Sequence, residues 1–172
     1  MNKLEPIAEI DPRFSSPHAS ATPWDEARHQ LEVAEIDWLS TVRPDGRPHV
    51  TPLISVWVDG SPYFVTGPSE RKAKNLEDNP RCVLTTGCNE IGEGLDIVVE
   101  GNAVRVIDGV TLQRVADAFT AKYSEPFHFK VKDGGFEGDG GTVLLFEIKW
   151  SKAMGFGKGE TFSQTRWCHP KR

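Results

Sequence analysis

The sequence predicts a mainly β protein, a small closed or split antiparallel barrel with helices at its ends. Three observations carry this. Apolar residues alternate with a period of two over short segments between residues 36 and 106 and again at 142–150. Gly- and Pro-containing turns of hairpin length separate those segments, and only two or three stretches show helical spacing. A sandwich would need more strands. In a barrel this small side chains fill the interior, so a sizeable ligand binds outside, in a groove that a second subunit would share.

Residues 1–22 mix Pro, Ser, His and charge without periodicity and are expected to form an arm, disordered or draped over something larger. The domain itself is expected over 23–150 and a tail over 151–172. In TPWDEARHQLEVAE, Thr22 is the expected N-cap, Pro23 the first helical residue, and Asp25 and Glu26 fill the first turn. From Ile36 the period becomes two. IDWLSTV is a strand, and RPDGRP turns the chain with Pro44 preset and Gly46 free to take positive φ.

The next strand, HVTPLISVWV, is expected to place Val50, Ile54, Val56 and Val58 on one face and His49, Thr51, Ser55 and Trp57 on the other. Pro52 has no amide donor, which puts this strand at an edge, a bulge or a ligand-facing break. DGSP leads into the strand YFVTG. RCVLTT, the loop GCNEIGEG and the run LDIVVEGNAVRVI continue the β pattern. DGVTLQRVADAFTAKY is a helix whose apolar stripe reads Val110, Leu112, Val115, Ala118 and Phe119. Residues 124–141, ending KDGGFEGDGG, are expected to be a loop too glycine-rich for regular structure. TVLLFEIKW is the last strong strand, followed by a tail that alternates aromatic, basic and glycine residues.

One domain fits 172 residues that are 38% hydrophobic and 26% charged. A net charge of −5 and a pI near 5.5 argue against a sequence-independent nucleic-acid binder, so any anion site must be local. An oligonucleotide-binding barrel, suggested by strand count, is disfavoured for the same reason. The start lacks the apolar core of a secretory signal and no run of eighteen apolar residues occurs, from which a cytoplasmic protein, not a membrane protein, is expected. Three cysteines without a CxxC pair read as reduced thiols, Cys82 a small core residue, and Cys168-His169 lacks partners at metal-ligand spacing, so no metal site is expected.

The segment TGPSERKAKNLEDNP, 66–80, reads as a helix with Ser69 as N-cap and Asn79-Pro80 as stop, but its charges run against the helix dipole. Arg71 and Lys72 fall in the first turn, Glu77 and Asp78 in the last, each placement costing about 0.3–1 kcal/mol when exposed. A phosphate at the helix start would reverse that sign. The first-turn amides, the Ser69 and Thr66 hydroxyls and the two cations would converge on it. A solvated helix with misplaced basic residues is the competing reading.

The order WLSTVRPDGRPHVTPL, YFVTGPSERKAKNLEDNPRCVLTT, then a long strand and a helix, resembles the pyridoxamine 5′-phosphate oxidase-like group of flavin and deazaflavin proteins over most of 24–150. Its most specific piece is SERKAKNLEDNP. The resemblance implies a six-stranded antiparallel split β-barrel of Greek-key type and a homodimer with cofactor at the subunit interface. It also implies phosphate binding by Thr66, Arg71 and Lys72, and lining of a flavin-like ring by His49, Val50, Thr51 and Pro52. The C-terminus lacks the Arg-x-His type motif of true pyridoxamine phosphate oxidases, which counts against that reaction. The tail looks instead like that of members suggested to use coenzyme F420.

The expected cofactor is FMN or F420, with F420 preferred because its acidic tail suits extra cations at Lys74, Arg43, Arg47, Lys152 and Lys158. The expected reaction is hydride transfer to or from a small organic substrate. His49 is the one candidate for donating to the ring or protonating a product. Arg166 and Trp167 could fold over the cofactor or substrate, or Trp167 could anchor the tail. The alternative is a non-catalytic flavin- or haem-binding module, or a pyridoxamine 5′-phosphate oxidase.

Overall fold

The computed structural model describes residues 5–139 and 141–170. Residues 1–4 of the expected arm, Gly140 of the glycine-rich loop and residues 171–172 of the tail lie outside them. The described residues hold eleven strands and three α-helices, and the strand pairings are antiparallel, so the class is the mainly β one expected. The count of six strands is not met. The chain divides into two compact units, to each of which β6 (Arg81–Thr86), β7 (Gly94–Val106) and β10 (Gly141–Lys158) contribute residues. No helix among the described residues is long and apolar enough to cross a membrane.

One unit comprises the chain through Ala34, Val83–Glu100 and the chain from Trp150. Here β1 (Ile7–Ile10) pairs with β11 (Ser163–Cys168), which pairs in turn with the second half of β10. The predicted arm is therefore ordered by the predicted tail. Ser16 N donates to Phe162 O at 2.8 Å and Asp11 N to Gln164 O at 2.8 Å, satisfying backbone groups that aperiodic sequence could not pair locally. Helix α1 (Trp24–Val33) starts from Pro23 rather than Thr22, whose amide donates to Thr165 Oγ1 and whose carbonyl accepts from Trp167 Nε1, both at 2.9 Å. Trp24 stacks on Trp150 with centroids 4.9 Å apart and meets Trp167 edge-on at 5.7 Å.

The other unit comprises Glu35–Cys82 and Gly101–Lys149. The hairpin β2 (Asp37–Val42) and β3 (Pro48–Leu53) closes through Gly46 at φ +84°, as its sequence predicts. The strand expected over 49–58 is two strands. At Ile54 the chain leaves its partner β2 and becomes β4 (Ser55–Val58), paired with β5 (Ser61–Thr66). The alternation predicted across the break fails accordingly: Val50 is 52% exposed while Val56 is buried. Tyr123 Oη and Lys122 Nζ donate to Ser55 O at 3.0 and 2.9 Å, holding the carbonyl at this switch.

Helix α3 (Gly109–Lys122) is capped by Asp108, which accepts from Thr111 N at 2.8 Å. It buries Leu112, Val115, Ala116 and Phe119 against Val56, Tyr63, Phe136 and Leu145, whereas Val110 is exposed. The glycine-rich stretch does form regular structure, the hairpin β8 (Val131–Lys132) and β9 (Gly135–Gly138). Asp133 and Gly134, at φ +48° and +69°, form the two-residue Asp-Gly turn that such hairpins favour.

Candidate functional site

Helix α2 (Arg71–Asp78) follows β5 directly and buries Lys72, Ala73, Asn75 and Leu76. Its N-cap is Glu70, not Ser69, which is exposed. The carboxylate of Glu70 folds back over the loop, where Oε1 accepts from Gly67 N at 2.6 Å and Oε2 pairs closely with Lys72 Nζ. Burial pushes the Glu70 carboxyl up, but the hydrogen bonds from Lys72 and the Gly67 amide, with the Thr66 hydroxyl beside them, outweigh it and hold the group below its ordinary value. The missing anion of the first turn is thus supplied one residue earlier. Sequence reading overlooked it because Glu70 stands outside the helix.

The inner face of β3 lies toward this helix start. His49 and Thr51 sit opposite Thr41 and Leu39 of β2, both buried. Asn75, fully buried on α2, donates from Nδ2 to Thr41 Oγ1 at 2.9 Å. His49 Nδ1, Thr51 Oγ1 and Asn75 Oδ1 are enclosed without a hydrogen-bond partner in the protein. Burial lowers the His49 pKa, and the nearby charges of Arg43, Lys72 and Arg71 lower it further, so the imidazole is neutral at pH 7. A neutral histidine with a free nitrogen, ringed by three cations, can exchange hydrogen bonds with a polar ligand while the cations hold an anionic group.

The predicted site residues divide as follows. His49, Thr66, Arg71 and Lys72 meet around the α2 start, and Thr51 lies on the same face of β3 as His49, opposite Leu39. Val50 and Pro52 project from the opposite, exposed face of β3, since side chains alternate along a strand. Lys74 is exposed on α2. Arg47 is engaged by Asp45 at 2.6 Å.

The tail residues do not behave as a cover. Trp167 is fully buried, its N–H given to Thr22 and its ring pressed against Gly155, where a Cβ would come within 2.3 Å of it. No face of the indole is left for a planar ligand. Arg166 pairs with Glu9 at 2.5 Å, and in the same unit Lys152 pairs with Glu100 and Lys158 with Asp96. Besides Glu70, sequence reading missed Thr41 and Asn75. The only available signal for Asn75 was an amide at a helical spacing of four from Arg71, on the face that turns inward.

Residues 23–152 match the sequence profile of pyridoxamine 5′-phosphate oxidase. The chain belongs to this family. Proteins of known structure share its fold at low identity. A haem-binding protein from Mycobacterium smegmatis superposes with a TM-score of 0.66 at 15% identity over 84% of the chain, which spans 58% of that protein's length. A putative 5-nitroimidazole antibiotic resistance protein from Bacteroides thetaiotaomicron gives 0.65 at 12% identity, covering 94% of this chain and 91% of that one. An FAD-binding protein from Mesorhizobium loti gives 0.58 at 20%, covering 84% and 95%. No curated protein sequence matches significantly. At these identities the likeness establishes the family's fold.

Proposed function

We propose that the chain is an FMN- or F420-dependent oxidoreductase, F420 preferred, that passes a hydride between the bound ring and a small organic substrate. The observation that carries this reading is the enclosed, unpartnered His49 Nδ1 within the field of Arg43, Arg71 and Lys72, with the unpartnered Thr51 Oγ1 on the same face of β3. A buried polar atom left unpaired costs about 1–3 kcal/mol, which a ligand presenting hydrogen-bonding groups would recover. The residues present fit such a ligand. The Gly67 amide, the Thr66 hydroxyl and the Arg71 and Lys72 cations would hold its phosphate. His49 and Thr51 would meet the polar edge of its ring.

The ring supplies the hydride chemistry. The chain binds and orients it, and His49, neutral at pH 7, can pass a proton through Nδ1. Arg43 and Lys74 offer charge beyond the phosphate, which supports F420, whose tail is acidic. The protein acts as a homodimer with the cofactor at the subunit interface. Supporting this, the outer face of the β2–β3 hairpin exposes Trp38, Val50 and Pro52 together.

The test is the absorption and mass spectrum of the small molecule that co-purifies with the protein, followed by fluorescence titration of FMN and F420 into wild type and an Arg71→Ala/Lys72→Ala variant. A flavin or deazaflavin chromophore and much weaker binding in the double variant support the proposal. A haem spectrum would favour the haem-binding reading that the Mycobacterium smegmatis neighbour suggests. Equal affinity in both proteins would refute the phosphate site.

A further inference from the structure

The donors assigned above to a cofactor phosphate are not idle in the structure. The Gly67 amide gives its hydrogen to Glu70 Oε1 at 2.6 Å, Lys72 Nζ pairs with Oε2, and the Thr66 hydroxyl lies against the same carboxylate. One acidic side chain thus collects an amide and an ammonium at the start of a helix, beside the Thr66 hydroxyl, which donates to Gly67 O at 3.3 Å, the arrangement an anion would meet there. Lys72 is nine-tenths buried, so without Glu70 its charge would be left without a counter-ion in a site from which water is largely excluded.

We propose that Glu70 is a built-in competitor for the phosphate: its carboxylate holds the phosphate-binding donors in the free protein and swings out when a phosphate-bearing ligand enters. This rests on the phosphate site of the proposed function. Three features make the exchange feasible. The Glu70 side chain is half exposed, so it can rotate into solvent without disturbing packing. Gly67 has no side chain to trap it; a Cβ there would press on Glu70 Oε1 at 3.3 Å and Cγ at 3.6 Å. Pro68 and Ser69 beside it are exposed, so the displaced carboxylate meets water rather than packed side chains.

The consequence is selectivity by charge. A ligand has to replace one negative charge already in place, so the dianionic phosphate monoester of FMN gains over Glu70 by charge, whereas the monoanionic phosphodiester of F420 has to gain through its other contacts and a lone carboxylate gains nothing. The site would resist the many simple carboxylates of a cell. Glu70 is on this view a specificity residue that never touches the reacting ring.

The test is titration of Glu70→Gln and Glu70→Ala with FMN and F420, and with riboflavin and deazariboflavin, which have the same rings without phosphate. Removing the competitor is expected to tighten binding of the phosphorylated ligands about tenfold or more, with the phosphate-free ligands unchanged. The ligand-free variants should melt lower than wild type, yet gain more on adding ligand. Unchanged or weaker binding of FMN and F420 in both variants would overturn the proposal and leave Glu70 a structural cap. If Arg71→Ala/Lys72→Ala binds as tightly as wild type, the underlying phosphate site is what fails. If that variant is weakened and the Glu70 variants are not tightened, only the competition fails.

Discussion

Replacing Lys72 by Met keeps most of the buried side-chain volume and removes the ammonium, which makes it the cleanest perturbation of the site. A charge-assisted hydrogen bond is worth about 1.5–3 kcal/mol. In the free protein, however, Lys72 already pairs with Glu70, so ligand binding exchanges one anion for another and only the difference is recovered. The expected loss in wild-type background is therefore near the lower bound, about 1.5 kcal/mol or roughly tenfold in Kd. In a Glu70→Gln background the lysine has no prior partner and the same replacement should cost up to about 3 kcal/mol, roughly a hundredfold. The double-mutant cycle by fluorescence titration of FMN or F420 reads that coupling directly. A second readout needs no ligand. Lys72 is one of three cations that depress the His49 pKa, so Lys72→Met should raise it toward 6.5 in an NMR titration. An unmoved His49 together with an unchanged Kd would refute the convergence of β3 and the α2 start on one site.

Three other outcomes are expected. Asp37 is fully buried, and burial raises its pKa from 3.8 to about 6, opposed by the Ser55 hydroxyl at 2.6 Å and by Lys122. The native state then binds more protons than the unfolded chain between pH 4 and 6, so this group's contribution makes the protein roughly 3 kcal/mol less stable at pH 7 than below pH 4. Asp37→Asn should remove that slope and raise stability at neutral pH, as chemical denaturation across this range would register. Gly155→Ala forces a methyl against the Trp167 indole, which is buried and cannot yield, so stability should fall by about 1–3 kcal/mol with a matching drop in Tm; in a Trp167→Leu background, itself destabilised, the same substitution should cost clearly less, which checks the contact. Trp38→Glu places a charge on the exposed β2–β3 face and should shift a dimer to monomer in sedimentation velocity without lowering monomer stability, whereas an unchanged sedimentation coefficient would remove this face from the interface.

The parts of the fold legible in the sequence were those where local rules and tertiary context agree. The Gly46 hairpin, the burial of Cys82 and the stripe 112–119 each follow from a turn residue, a small apolar side chain or a period. What was not legible depended on distant partners. Nothing in HVTPLISVWV shows that the chain exchanges β2 for β5 at Ile54, because each half keeps an acceptable alternation and the loss of register comes from the neighbours. The arm and tail look irregular singly; the tail becomes a strand by pairing with β10, and the arm by pairing with the tail, residues 7–10 against 165–168. The glycine-rich loop concealed a hairpin, since composition was weighed above the Asp133-Gly134 turn it contains.

The candidate site follows the same logic at smaller scale. The mismatch between α2's charges and its dipole was visible in the sequence, because it needs only the order of residues along one helix. Which atoms compensate the mismatch was not visible. Glu70 sits just outside the helix, and only a turn that brings its carboxylate to the Gly67 amide makes it the first-turn anion. A self-compensated helix start could be read as evidence that no ligand is needed there. The unpartnered nitrogen of His49 and hydroxyl of Thr51 argue otherwise, since Glu70 satisfies the cation and the amide but leaves these two enclosed atoms with nothing to bond. The chain can close the helix start by itself; it cannot by itself close the strand face beside it, and that remaining deficit is where a ring with polar edges would bind.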